Sequence, residues 1–364
     1  MESIGKYTPQ REFTTLGGGQ SEWTVARTDD GSEFFVKRYL QPVLPDPNLG
    51  LTEPTMRRLH DRVDYFRARQ MSVIGRLDEE QFRRHVVGAK DFFEHERRFY
   101  KVTPFVIEVS ALPLVKQPAK DVEAVLLGSV TAVEYLHQRG IVHGDIKPEN
   151  IMLSRGADGR LETHLIDLDE GYVAGYAPSR EDIVGTIGYY SPELGDYVSG
   201  RVEGAALTTA SDMFSLGLTL VEMLTGRVPG FDRDRYRTVA HALGNGETPN
   251  LLACGEVLGD LMASLLVLDP KARPSAAEML DRIGDLDLEL LLEGAFDATD
   301  APDLITAGPN GGTMDALSDE PDAIRVTGGD TATENTANEN ADDADDDGSG
   351  LIINLGRPTD RGNS

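Results

Sequence analysis

Eight consecutive residues, His143-Gly144-Asp145-Ile146-Lys147-Pro148-Glu149-Asn150, put a carboxylate, an ammonium and a carboxamide into one short loop. After a further hairpin's worth of residues, the strand-like His164-Leu165-Ile166 delivers a second carboxylate, Asp167. No other stretch of the chain restricts its possible folds as much. As chemistry the set suits phosphoryl transfer: Asp145 orients a hydroxyl, Lys147 neutralises the moving phosphoryl group, and Asn150 with Asp167 holds magnesium.

A chain of 364 residues with 40% apolar content can bury a large core, as one big domain or two smaller ones. The single cysteine, Cys254, excludes an internal disulfide and points to a reducing compartment, so a cytoplasmic protein is expected. No secretory signal is expected, and the longest apolar run, 213–224, is shorter than the ~20 residues that cross a bilayer. A net charge of -27 argues against nucleic acid and anionic lipid as partners.

Residues 11–290 read as one folded domain. From about Ala298 the aromatics vanish and acidic runs such as Asp342-Asp343-Ala344-Asp345-Asp346-Asp347 appear. A segment so poor in apolar surface cannot offset its chain entropy, and 298–364 is expected to be a disordered acidic tail. Within the domain, 13–27 and 33–39 look like strands joined through Asp29-Asp30-Gly31. Four prolines (Pro42, Pro45, Pro47, Pro54) forbid regular structure over 41–54, whereas 55–102 are helical in pattern and 105–109 strand-like. An amphipathic helix is predicted over 121–139, with Val122, Leu126, Val133 and Leu136 on its core face, and further helices over 208–226, 256–268 and 275–292.

The order and spacing of His143, Asp145, Lys147, Asn150 and Asp167 resemble those of the eukaryotic-like Ser/Thr protein kinases of bacteria and archaea. The resemblance covers about 11–285. It implies an α+β, two-lobed protein-kinase-like fold with a β-rich N-lobe and an α-helical C-lobe, and ATP and Mg2+ as substrate and cofactor. It also implies a role for Lys37, which ends the alternating Glu33-Phe34-Phe35-Val36-Lys37: contact with the α- and β-phosphates, supported by an acidic partner on the following helix. Glu96 is favoured for that partner over Glu94, because Phe93, Phe99 and Tyr100 share the face a core-packed helix needs. On this placement 41–90 is an insertion before the helix, basic in its middle. A hinge falls near 111–117. Gly17 and Gly19 in Leu16-Gly17-Gly18-Gly19-Gln20-Ser21-Glu22-Trp23 let the backbone approach phosphates, and Ser21 or Glu22 stands where the family has a third glycine.

Two departures matter. Gly144 takes the place of the arginine that in many relatives pairs with a phosphorylated activation segment, and Asp167-Leu168-Asp169 replaces Asp-Phe-Gly. The stretch Gly185-Thr186-Ile187-Gly188-Tyr189-Tyr190-Ser191-Pro192-Glu193 is similar to the end of such a segment. There Thr186 is expected to bond near Asp145 and Lys147, and Glu193 to need a buried cation, supplied by Arg273. Asp212 is expected to accept backbone N–H groups of the 143–145 turn.

The resemblance thus implies an ATP- and Mg-dependent Ser/Thr protein kinase with Asp145, Lys147, Asn150 and Thr186 as catalytic residues. Gly17, Gly19, Lys37 and Glu96 bind the nucleotide, and Asn150 and Asp167 the metal. Two other classes stay open. One is a weakly catalytic pseudokinase scaffold, favoured by the altered glycine loop and Asp169. The other is a small-molecule kinase of the aminoglycoside phosphotransferase type, which shares His-Gly-Asp and Ile-Asp. Expected partners are a protein substrate and, through tail threonines 327, 331, 333 and 336, a forkhead-associated domain reading phosphothreonine. Neither nucleic acid nor membrane is expected.

Overall fold

The computed structural model describes residues 2–15, 21–77, 85–288 and 291, all within the unit Met1–Ala316. Gly17, Gly19 and the proposed tail 298–364 lie outside the described residues.

Five antiparallel strands build the first lobe: β1 (Thr8–Pro9), β2 (Ser21–Arg27), β3 (Glu33–Tyr39), β4 (Asp91–His95) and β5 (Arg98–Pro104), in the spatial order β1-β2-β3-β5-β4. Strand alternation divides their side chains between two faces. On one face Val36, Tyr100 and Val102 are covered by Ile4 and Tyr7 from the N-terminal segment. The other face carries Lys37, Tyr39, Phe99 and Lys101, with Lys37 opposite Lys101 in the β3–β5 register. Against it packs helix α1 (Glu53–Ile74), whose Val63 and Phe66 meet Tyr39, Phe92 and Phe99. Pro54 sits in the first turn of α1, where its missing N–H has no intrahelical partner to lose.

This lobe corrects two expectations. Residues 55–102 are not one helical stretch, and 41–90 do not precede the helix but contain it. Residues 91–104 form a hairpin whose two-residue loop is Glu96-Arg97, flanked by the pair His95↔Arg98. Glu96 and Arg97 both have positive φ, 46° and 64°. Two-residue hairpin loops call for that conformation, usually from Gly, Asn or Asp. A Glu-Arg loop hides the turn, and the spacing of Phe93, Glu96, Phe99 and Tyr100 then imitates a helix. In the folded chain Phe93 and Tyr100 are cross-strand partners, their rings stacked with centroids 5.7 Å apart. Residues 105–109, expected as a strand, have no regular structure, although Val109 N–H donates to the Leu153 carbonyl at 2.8 Å.

The second lobe is helical. It holds α2 (Ala119–His137), α3 (Pro192–Val198), α4 (Ala210–Thr225), α5 (Val239–Gly244), α6 (Glu256–Leu265) and α7 (Ala276–Gly284). Two small antiparallel pairs complete it: β6 (Ile141–Val142) with β9 (Tyr172–Val173), and β7 (Ile151–Arg155) with β8 (Leu161–Leu165). Val122, Leu126, Val133 and Leu136 of α2 are buried in the main core, together with Leu216 and Leu220 of α4 and Met262 and Leu265 of α6. Helix α4 crosses α6 so closely at Gly217 that a Cβ there would lie 2.8 Å from Leu265 Cβ. This core is the base on which the 143–150 loop rests.

Candidate active site

The loop between β6 and β7 is held from below by one carboxylate. Asp212, in the first turn of α4, accepts the N–H groups of His143 at 2.7 Å and Gly144 at 3.1 Å, and pairs with His137 Nε2 at 3.0 Å. The buried His143 ring bridges to the next strand. Its Nε2 donates to the Ile166 carbonyl at 2.9 Å, while Nδ1 accepts from Asp145 N–H at 3.3 Å. Gly144 has φ +80°, and a Cβ there would stand 2.9 Å from the Glu170 carbonyl oxygen. A side chain at this position would therefore press on that carbonyl, which disfavours the arginine that the kinase resemblance would put here.

These restraints aim Asp145 at the cleft, where four of the expected residues meet. Asp145 Oδ2 pairs with Lys147 Nζ at 2.8 Å and accepts from Asn150 Nδ2 at 3.1 Å. Its Oδ1 accepts from Thr186 N–H at 3.0 Å. Lys147 Nζ donates to Thr186 Oγ1 at 2.9 Å, and Asn150 Nδ2 also reaches the Asp145 carbonyl at 2.7 Å. Both donor contacts of the Asn150 amide thus go to Asp145.

A second group lies where the two lobes face each other. Lys37 Nζ sits 2.8 Å from Asp167 Oδ1 and 2.8 Å from Asp169 Oδ2. Asp167 has left-handed backbone, φ 62°, at the turn out of β8. Asp169 Oδ1 accepts from Tyr39 Oη at 2.6 Å and pairs with Lys101 Nζ. The Asp169 carbonyl oxygen accepts from Arg69 Nη2 and Gln70 Nε2 of α1, each at 3.1 Å. Burial disfavours the Lys37 charge, but Asp169 and Asp167 outweigh it and hold the ammonium well above the usual lysine range. Burial likewise disfavours the Asp169 carboxylate, yet Lys101 and Lys37 keep it far below the usual carboxylate range.

Glu96 does not join this group. It is exposed at the tip of the β4–β5 hairpin, on no helix, and the carboxylates paired with Lys37 are Asp167 and Asp169. Glu94, the other candidate, accepts from Arg67 Nε at 3.1 Å. Glu22, near the glycine-rich stretch, accepts from Arg38 Nε of the neighbouring strand at 2.8 Å, so its charge is matched. Sequence reasoning missed Asp169, Lys101, Tyr39 and Gln70 as companions of Lys37. One signal was available: no Asp or Glu occurs between 65 and 74, so the last ten residues of α1 have no carboxylate to offer.

Farther down, Arg273 Nη1 and Nη2 bond Glu193 Oε1 and Oε2 at 2.7 and 2.9 Å, fastening the end of the 185–193 segment to the helical core.

Comparison with known proteins agrees with this architecture. Over 166 residues the chain is 33% identical to the serine/threonine-protein kinase ksg1 of Schizosaccharomyces pombe, covering 41% of this chain and 26% of that protein. Over 122 residues it is 37% identical to a Bifidobacterium longum protein named probable serine/threonine-protein kinase PknB, covering 34% and 16%. Over 206 residues it is 31% identical to a rice protein named probable inactive leucine-rich repeat receptor kinase XIAO, covering 49% and 16%. The chain thus spans about a quarter or less of the length of these relatives. Residues 68–282, from the last turns of α1 to α7 and more than half of the chain, match the family model described as protein kinase domain. With a β-sheet lobe, a helical lobe and the 143–150 loop between them, the chain belongs to the protein kinase domain family.

Proposed function

We propose that this kinase-family chain is an ATP- and magnesium-dependent Ser/Thr protein kinase that transfers the γ-phosphoryl group to protein hydroxyls. The observation that carries this reading is the bonded cluster of Asp145, Lys147, Asn150 and Thr186. In the transfer, the substrate oxygen forms a bond to the γ-phosphorus while the bond from that phosphorus to the β-phosphate oxygen breaks. Asp145 orients the hydroxyl and receives its proton. Lys147, held 2.8 Å from Asp145, sets a positive charge beside the phosphoryl oxygens. Thr186 fixes both side chains by one bond to each. Lys37 aligns the α- and β-phosphates.

The donor set suits magnesium. Among the described residues no three His, Cys, Asp or Glu side chains gather as a metal cage. The ion takes one or two carboxylates with substrate phosphates and water rather than an all-protein cage. Asn150 commits its amide nitrogen to Asp145 and so keeps its carbonyl oxygen for a cation, and Asp167 is the most exposed carboxylate of the Lys37 group at 36%. These two residues would hold the metal, which when bound neutralises charge on the transferring group.

A weakly catalytic scaffold is the second reading. It is favoured by Lys37 being held by two aspartates at once, and by the relative named probable inactive. The 185–193 segment, bonded to the loop through Lys147 and Thr186, favours a protein over a small-molecule acceptor. Incubation with radiolabelled ATP, magnesium, a generic basic protein and an aminoglycoside separates the readings: label enters the protein for a protein kinase, enters only the amino sugar for a small-molecule kinase, and enters neither for a scaffold.

The proposal extends to a kinase domain over 11–290 in the cytoplasm, and to tail threonines 327, 331, 333 and 336 as its own substrates, readable by a forkhead-associated partner. A tethered tail meets the site at high effective concentration. Deleting 298–364 should therefore lower self-labelling while leaving phosphotransfer to a peptide unchanged.

A further inference from the structure

We infer that Asp169 is the positioning residue of Lys37, doing from the segment after β8 what a helix carboxylate does in kinases whose lysine is braced by α1's counterpart. The inference rests on the function proposed above.

Helix α1 cannot supply that brace. Its acidic residues are Glu53, Asp61 and Asp64, and none lies in the last ten residues, 65–74, that reach the site. Glu53 and Asp64 are exposed and paired with Arg57 and Arg67 of the same helix, at 3.3 and 2.7 Å. The buried α1 side chain at the site is the neutral Gln70. Its amide nitrogen donates to the Asp169 carbonyl at 3.1 Å, and its amide oxygen accepts from Lys101 Nζ at 3.2 Å.

Asp169 meets the requirement from the opposite side. Its two oxygens take three donors: Lys37 on Oδ2, Tyr39 and Lys101 on Oδ1. Three fixed donors leave the carboxylate one orientation. The anion also lies between two lysines that face each other across the β3–β5 register and would repel without it. Its backbone carbonyl receives Arg69 and Gln70, so α1 is coupled to Lys37 through Asp169 rather than by a direct ion pair.

Asp167 also touches Lys37, but the two carboxylates differ in what else they must do. Asp167 is 36% exposed and is the proposed cation ligand, whereas Asp169 is 16% exposed and fully engaged with protein donors. When Asp167 turns to a cation, Asp169 is the carboxylate that remains for Lys37. Without Asp169, Lys37 and the cation compete for Asp167.

The alternative is that Asp169 only neutralises the buried Lys101. Two variants, Asp169→Asn and Asp169→Asn/Lys101→Met, separate these roles. Affinity for a non-hydrolysable ATP analogue is titrated by fluorescence with and without magnesium, beside the melting temperature. The wild type should bind more tightly with magnesium. Both variants should lose about ten- to hundredfold of affinity in magnesium, the worth of a charge-assisted bond, and little without it. The double variant, relieved of its unpaired lysine, should melt close to the wild type. Recovery of magnesium-dependent affinity in the double variant, or its retention in Asp169→Asn, overturns the inference; if the single variant does not fold, the double decides. A wild type that binds the analogue normally but transfers no phosphate overturns the proposed function and leaves Asp169 standing. A wild type that binds no nucleotide overturns both.

Discussion

Arg273 and Glu193 meet as two planar groups in the helical core, joined by parallel bonds of 2.7 and 2.9 Å. The remaining guanidinium hydrogens reach the carbonyls of Val267, Ala210 and Leu268 at 2.7, 2.7 and 3.2 Å. Every donor of a buried cation is thereby answered, as a charge removed from water requires. The pair ties α3, the start of α4 and the turn before α7 into one unit, with the 185–193 segment attached.

Arg273→Ala should therefore destabilise the domain and not merely slow turnover. It strands Glu193 as a buried, unpaired charge, and breaking such a pair costs about 3–5 kcal/mol. Urea unfolding of the variant checks this; an unchanged midpoint would remove the pair from the list of stabilising contacts. Arg273→Lys should recover only part of the loss, because an ammonium cannot reproduce the fork.

Gly144→Arg, which introduces the residue that the kinase resemblance implies here, should also destabilise. A non-glycine side chain at φ +80° is strained by about 1–2 kcal/mol, and its Cβ would press on the Glu170 carbonyl 2.9 Å away. Comparing thermal unfolding of wild type, Gly144→Ala and Gly144→Arg tests this. Equal stability of all three would mean the loop relaxes freely, contrary to its anchorage on Asp212.

Much of the fold was legible because its helices obey their own periodicity. Val122, Leu126, Val133 and Leu136 mark the buried face of α2, and α4 is buried along nearly its whole length. The site loop was legible for another reason: Asp145, Lys147 and Asn150 are close in sequence, so spacing alone brings them together. Lys37 was harder. Its partner had to be guessed over a long separation, and the Glu96-Arg97 loop carried no glycine to betray a hairpin. Asp169 was visible as a departure from Asp-Phe-Gly, but which lysines it faces depends on the β3–β5 register, which no local pattern declares. The Glu193–Arg273 pair was within reach because a carboxylate beside Pro192 and an arginine beside Pro274 stand in motifs of known order.

Cys254 gives a pH-dependent check on the core. Burial pushes its thiol up to about 11, so the folded chain keeps the proton after an unfolded cysteine has lost it. The thiol's contribution to stability is fully present below about pH 8.5–9, the unfolded value, and is lost as pH rises toward 11. Alkylation with iodoacetamide at pH 8 should be slow in the native protein and rapid in denaturant. Rapid labelling of the native form would mean that the packing around Leu258 and Leu261 opens readily.

The central claim is that Asp145 orients an acceptor hydroxyl for phosphoryl transfer. Its most direct test compares Asp145→Asn with the wild type in steady-state phosphorylation of a peptide, with affinity for a non-hydrolysable ATP analogue measured in parallel. The substitution keeps the side-chain shape and an oxygen able to accept from Thr186 N–H but removes the proton acceptor, so kcat should fall by about 10²–10⁴-fold with analogue affinity little changed. Full turnover in the variant would contradict the account.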